Sequence, residues 1–258
     1  MKKLLLLLVL LTVSLYSQDD GLDDLPFDDE PLMSKERNYF AIGGGYSIGV
    51  LNLNLDNFNK LLKDQFTRSE LSKTMIMHGG SAFTGIPFIK NLRLGYHSYG
   101  GNLLNESTVG EIKTSEELSV SMSGINFDYG YVPIDNLAIM GGLGIGWGSI
   151  NFDIAKGAAS YDWTKLNDSL VGVDNYFLHA EKSFMYITPT VSVEWAATSF
   201  FMMRALVNYN LSFDNPIASA DDKSWKINKV AQLDNTPNGL NSNGFYFEFG
   251  IFLGLFNY

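Results

Sequence analysis

Few side chains of this 258-residue chain could do chemistry, and three histidines are the most reactive of them. His78 and His97 lie in segments of alternating polarity, and His179 lies in a polar stretch with Tyr176 and Glu181. A lipid-modifying hydrolase would need a serine, a histidine that takes its proton, and a carboxylate. No spacing here singles out such a trio, and packing or loop exposure accounts for each histidine. The sequence therefore predicts no catalytic residue.

Other reactive groups are also missing from the sequence. The chain has no cysteine, which excludes disulfides, a thiol nucleophile and a cysteine-linked lipid anchor. Gly43, Gly44 and Gly45 lie in a strand-like segment, where they would ease curvature and leave room for larger neighbours rather than cradle a phosphate. A formal net charge of −10 disfavours nucleic-acid binding. We expect no cofactor, no metal ion and no nucleic-acid partner.

Counted from the short turns, four charged residues lie in the lower third of the alternating segments: Arg93, Asp128, Glu194 and Arg204. Each lies on the face opposite the apolar side chains. This sorting has a physical cause in a membrane, because an arginine facing lipid at mid-depth costs roughly 2–4 kcal/mol. We expect Arg93 to lie near Asp128 and Arg204 near Glu194, as a charge-assisted hydrogen-bonded plug inside a narrow barrel. The alternative is a small gated pore.

The elements that would position these charges are strands. Nothing after residue 37 offers the roughly 20 apolar residues of a transmembrane helix, whereas alternation with a period of two recurs. It marks eight segments, near residues 38–50, 74–87, 91–103, 116–132, 137–154, 184–197, 200–213 and 243–257. Several are long enough for tilted strands, since about 9–11 residues span the hydrocarbon.

The connections between the segments alternate in length. Tight turns are expected near residues 89–91, 133–136 and 197–199. Long polar stretches occupy about 51–73, 104–115, 155–183 and 214–242. Short turns on one side and long loops on the other are typical of bacterial outer-membrane barrels, and an even strand count places both termini in the periplasm. The predicted fold is an all-β, antiparallel, up-and-down transmembrane barrel of about eight strands with long extracellular loops.

The N-terminal residues read as export and linker segments. Residues 1–17 carry a positive start and a short apolar run, which indicates a cleaved signal peptide rather than a short membrane anchor. Residues 18–37 are acidic and poor in apolar side chains, which predicts a disordered periplasmic linker. The alternative for this stretch is a peptide that binds cations or a partner. Residues 38–258 form the predicted barrel.

The long loops contain apolar residues that exposed loops rarely keep. In the first loop, apolar side chains recur at helical spacing: Leu55, Phe58, Leu61, Leu62 and Phe66. Such an amphipathic helix would cap the barrel mouth or lie on the membrane surface. The third and fourth loops hold Tyr161, Trp163, Tyr176, Phe177 and Trp225. Mutual packing and contact with a partner are both open for these aromatics.

The eight amphipathic segments and the final stretch FYFEFGIFLGLFNY resemble small outer-membrane barrels of the OmpA transmembrane-domain or OmpX type. The resemblance is architectural and covers about residues 38–258. It implies that the barrel assembly machinery recognises the terminal aromatics Phe256 and Tyr258. Both residues, however, share parity with Glu248 rather than with the main apolar row. Either a bulge shifts the register or the assembly signal is atypical.

These observations predict a monomeric, non-enzymatic protein of the bacterial outer membrane, in contact with outer-membrane lipid. Its role would be structural, or an interaction with an extracellular ligand through the long loops. A narrow passive channel for small solutes is the alternative, and an outer-membrane lipid-modifying enzyme is the third possibility.

Overall fold

A computed structural model describes residues 38–66, 70–160, 164, 175–214, 224–228, 231–233, 236 and 242–258. The predicted signal peptide and acidic linker, and the loop aromatics Tyr161 and Trp163, lie outside these residues. In the described part of the chain, no helix is long and apolar enough to cross a membrane.

The described residues form ten strands and one helix. In chain order these are β1 (Phe40–Asn52), α1 (Asp56–Phe66), β2 (Thr74–Gly85), β3 (Leu92–Val109), β4 (Ile112–Ile134), β5 (Leu137–Ala158), β6 (Tyr176–Thr198), β7 (Phe201–Phe213), β8 (Lys226–Ile227), β9 (Ala231–Gln232) and β10 (Gly244–Asn257). The eight long strands pair with their neighbours, and β10 pairs with β1, so that an antiparallel ring closes. The predicted eight-stranded barrel is confirmed.

One end of the barrel, which we call the turn end, carries the short connections. The turns at residues 86–91, 135–136 and 199–200 join β2 to β3, β4 to β5 and β6 to β7. Asn91 and Asn136 have φ angles of 63° and 65°, a left-handed conformation that asparagine tolerates better than most residues. The start of β1 and the end of β10 meet at this same end, where Phe40 pairs with Asn257. We call the opposite end the loop end.

The second long stretch, residues 104–115, was predicted to be a loop but is mostly strand. β3 runs to Val109 and β4 begins at Ile112, joined by Gly110 and Glu111, with Gly110 at a φ of 64°. In the third stretch, β5 continues to Ala158 and β6 begins at Tyr176. Residues 104–109 of β3 lie beyond the lipid and are largely exposed on both faces, so no hydrophobic alternation revealed them. On the neighbouring extensions one face stays buried, at Thr114, Ile154 and Ala180.

These extensions continue the barrel sheet beyond the ring at the loop end, in a part that we call the projecting sheet. It consists of residues 102–109 of β3, 112–117 of β4, 152–158 of β5 and 176–181 of β6, with β8 and β9 added at the β6 edge. The fourth long stretch therefore supplies a short hairpin to this sheet.

The outward face of the ring is an apolar belt. Its exposed side chains include Tyr46, Ile48, Leu94, Phe127, Ile145, Val191, Phe247, Phe249 and Ile251. On β3 to β6 the outward row turns polar in a regular way, at Ser98, Ser123, Ser149 and Ser183. Trp147 lies next to this boundary, and Tyr129 and Tyr131 lie toward the turn end, as expected for aromatic girdles. The belt is the surface that faces lipid.

Candidate functional site

All four predicted charges face the lumen. Arg93, Asp128, Glu194 and Arg204 are between 0% and 5% exposed, on β3, β4, β6 and β7. Their positions follow from strand parity, because each neighbour along the strand points outward into the apolar belt.

Arg93 connects three separate parts of the barrel wall. Its Nε and Nη2 donate to Oδ2 of Asp128, at 3.1 and 2.8 Å, and its Nη1 donates to Oε1 of Glu194 at 2.5 Å. The same Nη1 donates to the hydroxyl of Tyr39 at 2.9 Å, and that hydroxyl donates to Oε2 of Glu194 at 2.9 Å. The guanidinium carbon also lies 4.4 Å from the ring centre of Phe83. One buried arginine thus balances two carboxylates across the lumen.

Arg204 corrects one expected pairing. It is opposite Glu194 in the register of β6 and β7, but its Nη2 donates to Oε1 of Glu248 on β10, at 2.7 Å, and to Oγ of Ser81 at 2.9 Å. The reason is competition, since Arg93 and Tyr39 already occupy both oxygens of Glu194. Glu248 has the lumen parity in the sequence, and that signal could have identified it as the partner.

Aromatic side chains of β10 fill the space that glycines of β1 leave. A Cβ placed on Gly45 would lie 2.6 Å from the ring of Phe252, and one on Gly49 would lie 2.5 Å from the ring of Tyr246. Gly43 stands in the same relation to Phe256. The expectation that glycines 43–45 leave room for larger neighbours is confirmed for Gly43 and Gly45, whereas the nearest atoms to a Cβ on Gly44 belong to Ser81 and Ala82.

Phe256 and Tyr258 are part of this inward row. β10 pairs with β1 in one continuous register from Tyr246 to Asn257, so a bulge is not what changes the parity of the terminal aromatics. Phe256 is buried in the lumen, and the ring of Tyr258 stacks on Tyr39 at 4.9 Å between centres. In the folded barrel both aromatics serve as packing at the turn end.

The lumen is filled along its whole height. A turn-end cluster of apolar side chains includes Tyr39, Phe83, Val132, Met140, Met202, Phe252 and Phe256. A loop-end cluster includes Leu51, Met75, Met77, Leu118, Phe152, Phe184 and Tyr246. The charged residues line the space between the two, around a cavity of about 30 Å³, enough for about one or two water molecules.

Helix α1 closes the loop end. Its side chains Phe58 and Leu62, with Leu55 just before it, are buried in the loop-end cluster, and Phe58 meets Phe152 of β5 edge-on at 4.8 Å. The Asn59 side chain makes two hydrogen bonds to the backbone of Leu71, at 2.9 and 3.0 Å. Of the two alternatives for this helix, the structure shows the cap.

In the described part of the chain, none of the three histidines is hydrogen-bonded to a serine. Both ring nitrogens of His97 are occupied inside the lumen, Nδ1 by Asn126 at 2.6 Å and Nε2 by Tyr186 at 2.5 Å. His78 is on the outward face of β2, with its ring centre 6.3 Å from that of Tyr46. This differs from both placements expected for the histidines, packing in the lumen and exposure in a loop. Among the described residues, no group of three or more histidine, aspartate and glutamate side chains could hold a metal ion.

His179 is on the outer face of the projecting sheet. Its Nδ1 contacts Oδ1 of Asp153 at 2.5 Å, and its Nε2 contacts Oε2 of Glu181 at 3.4 Å. The hydrogen bond to Asp153 is the largest cause of a raised pKa of His179, with Glu181 adding to it. This cluster lies beyond the serine boundary of the apolar belt.

The described loop aromatics divide into two groups. Trp225 is buried in the loop-end cluster, which is mutual packing. Tyr176 and Phe177, at the start of β6, are 40% and 62% exposed. The exposed pair stays available to a partner.

No protein-family model matches the chain, and no curated protein matches its sequence. Its fold is similar to that of the attachment invasion locus protein Ail of Yersinia pestis, crystallised with the heparin analogue sucrose octasulfate, with 12% identity over 85% of this chain and 99% of that one and a TM-score of 0.38. It is also similar to CarO of Acinetobacter baumannii, with 8% identity over 83% and 97% of the chains and a TM-score of 0.35. The outer-membrane protease OmpT of Escherichia coli shares 9% identity over 88% and 99%, with a TM-score of 0.25. The eight-stranded ring with its lipid-facing belt is the architecture of small outer-membrane barrels, as the sequence resemblance implied.

Proposed function

We propose that this protein is a closed, non-enzymatic barrel of the outer membrane that presents its projecting sheet to partners at the cell surface. The turn end, with both termini, would then face the periplasm. The asymmetry of the two ends supports this orientation, because outer-membrane barrels carry short turns in the periplasm and long connections outside.

The filled lumen supports a closed barrel. A solute would have to pass the turn-end cluster, the salt-bridged arginines and the loop-end cluster beneath helix α1. An eight-stranded barrel has little interior beyond what its own side chains need. The narrow passive channel is therefore the less supported function. The lipid enzyme is less supported too, because His97 is held by Asn126 and Tyr186.

The projecting sheet carries the proposal because its β3 edge is open. Pairing of β3 with β2 ends at Gly101, whereas pairing with β4 continues to Val109. The carbonyl of Leu92 accepts from Ile86 on the β2 side, so even-numbered residues of β3 direct their backbone groups to that side. Beyond Gly101, Leu104 and Glu106 therefore direct N–H and C=O groups away from β4, where no strand of the described chain pairs with them.

An open strand edge is a template for another strand. Soluble proteins blunt such edges with lysine, proline or a bulge, but residues 102–109 contain none of these and their register with β4 is unbroken. Two carboxylates lie at or beside this edge. Glu106 on β3 is ion-paired with Lys113 at 2.9 Å, and Glu117 on β4, opposite Leu104, accepts from the side chain of Asn102 at 2.8 Å. We infer a partner that offers an extended segment bearing basic side chains, bound by strand addition.

The test uses the barrel in lipid nanodiscs and a labelled eight-residue peptide of alternating valine and lysine. Wild type should bind the peptide. Glu106→Pro, which removes a backbone donor at the open edge but none of the bonds to β4, should bind about fivefold to tenfold more weakly. Glu106→Gln is the matched control, because it removes the carboxylate and keeps the N–H. Equal binding by wild type and Glu106→Pro contradicts strand addition.

The burial of the two terminal aromatics bears on when the assembly machinery could recognise them. Phe256 and Tyr258 are buried inside the folded barrel. Recognition of these residues by the barrel assembly machinery would therefore precede the closure of β10 on β1.

A further inference from the structure

The cavity between the two apolar clusters is lined by polar atoms that differ in hydrogen-bonding character. Among the residues around it are Thr188 on β6, with Arg204 and Asn208 on β7. The hydroxyl of Thr188, Nε of Arg204 and Oδ1 of Asn208 are all buried and have no hydrogen-bond partner in the described part of the chain. Thr188 is 1% exposed and Arg204 is 5% exposed.

Unpartnered polar atoms at this depth are costly. A buried donor or acceptor without a partner costs about 1–3 kcal/mol. With the hydroxyl of Tyr246 and Oε2 of Glu248, five such groups belong to residues that line this one cavity, which indicates that something occupies it. The volume of about 30 Å³ restricts the occupant to a very small species.

The mixture of donors and acceptors decides which species fits. Nε of Arg204 can only donate, so it opposes a cation at this place. Oδ1 of Asn208 can only accept, and the Glu248 carboxylate also lines the cavity, so both oppose an anion. Water accepts from one side and donates to the other.

We propose that this cavity is a binding site for one or two ordered water molecules, which accept from Nε of Arg204 and donate to Oδ1 of Asn208. The hydroxyl of Thr188 supplies the third partner, within the two to four that buried waters use. The water completes the hydrogen bonding of Arg204, whose Nη2 is already held by Glu248 and Ser81. This site does not depend on the surface-binding function proposed above.

The test is a crystal structure of the full chain grown in rubidium bromide, with anomalous data at both absorption edges. Density within hydrogen-bonding distance of Arg204 and Asn208, without anomalous signal, is the expected result. A rubidium or bromide peak in the cavity overturns the proposal, and so does a cavity without density.

Two threonines on the same face of β6 give a matched pair of variants. Thr188→Val should remove or displace the water density and lower the melting temperature by about 2–4 °C, the shift that the loss of one buried hydrogen bond gives in a chain of this size. Thr190 is also buried, but its hydroxyl donates to the carbonyl of Thr188 and it does not line the cavity. Thr190→Val should leave the water density in place. Unchanged density in Thr188→Val, or its loss in both variants, contradicts the assigned site.

Discussion

The central position of Arg93 makes its removal the sharpest test of the lumen network. Arg93→Met keeps an unbranched apolar side chain in place of the arginine stem and removes the guanidinium and its charge. Glu194 would keep the hydroxyl of Tyr39 as a donor. Asp128 would keep nothing, because Arg93 makes its only hydrogen bonds within the described residues.

The expected cost follows from that difference. Removing one partner of a buried ion pair destabilises a protein by about 3–5 kcal/mol, because the other charge is left uncompensated. The second substitution Asp128→Asn, in the Arg93→Met background, removes that stranded charge. It should recover about 2 kcal/mol of the loss, a coupling within the range for residues in contact.

Urea titration of the barrel refolded into lipid vesicles measures these values, with tryptophan fluorescence and gel mobility as independent readouts. Lys90→Met is the control, since Lys90 is exposed in a short turn and its loss makes the same change in net charge. A cost below about 1 kcal/mol for Arg93→Met would show that Arg93 does not compensate the buried carboxylates. A double variant no more stable than the single one would show that Asp128 is not the stranded charge.

Three further predictions concern the lumen, the contact between β1 and β10, and the projecting sheet. In planar bilayers the wild type and Arg93→Ala should both show no steady conductance, because two apolar clusters remain above and below the network; a stable open pore, or one lost in Arg93→Ala, would support the channel instead. Gly45→Ala should destabilise the barrel by about 1–3 kcal/mol, the usual cost of overpacking, because its Cβ would meet the carbonyl of Ile251 and the Phe252 ring, whereas Gly141→Ala, with open space around it, should melt like the wild type. Because the pKa of His179 is raised in the folded state, its contribution to the projecting sheet is fully present below the ordinary histidine pKa of about 6.5 and is lost as the pH rises through the raised value. As the pH rises through this range, hydrogen exchange of the backbone amides near Asp153 should therefore speed up in the wild type by more than the pH dependence of exchange itself gives. In His179→Gln this additional increase should be absent.

The sequence predicts the ring because lipid imposes a strict rule on it. An apolar residue at every second position and a charge only on the opposite face are what a lipid-facing belt requires, and that pattern locates β7 and β10 to within one residue of their observed starts. The same rule stops at the membrane surface. Residues 104–109 of β3 are strand, yet they look like a loop, because water on both faces imposes no alternation.

The partners of side chains across the lumen were harder to predict than whether each residue points to the lumen or to lipid. The register placed Arg204 opposite Glu194, but strand tilt and competition from Arg93 direct its side chain to Glu248 instead. Tyr39 lies in the predicted segment 38–50 and one residue before β1, but nothing in the sequence indicates that its hydroxyl reaches Arg93 and Glu194 across the lumen. Which side chains pair inside a closed barrel depends on the whole ring of strands. Whether a residue points to the lumen or to lipid depends only on its own strand.

The buried charges are therefore better explained by the strand register that they specify than by a net gain in the free energy of unfolding. Replacing a buried ion-pair network with well-packed apolar residues is often neutral or stabilising by about 1–4 kcal/mol, so stability alone does not account for Arg93 and Arg204. A slip of one residue in β3 or β7 would turn its arginine onto lipid, at a cost that reaches about 2–4 kcal/mol at mid-depth and is smaller near the membrane surface. An apolar lumen would carry no such penalty, because either face of the strand could then meet lipid. The two arginines therefore disfavour the registers that invert the faces of their strands, and their carboxylate partners compensate the two charges inside the lumen.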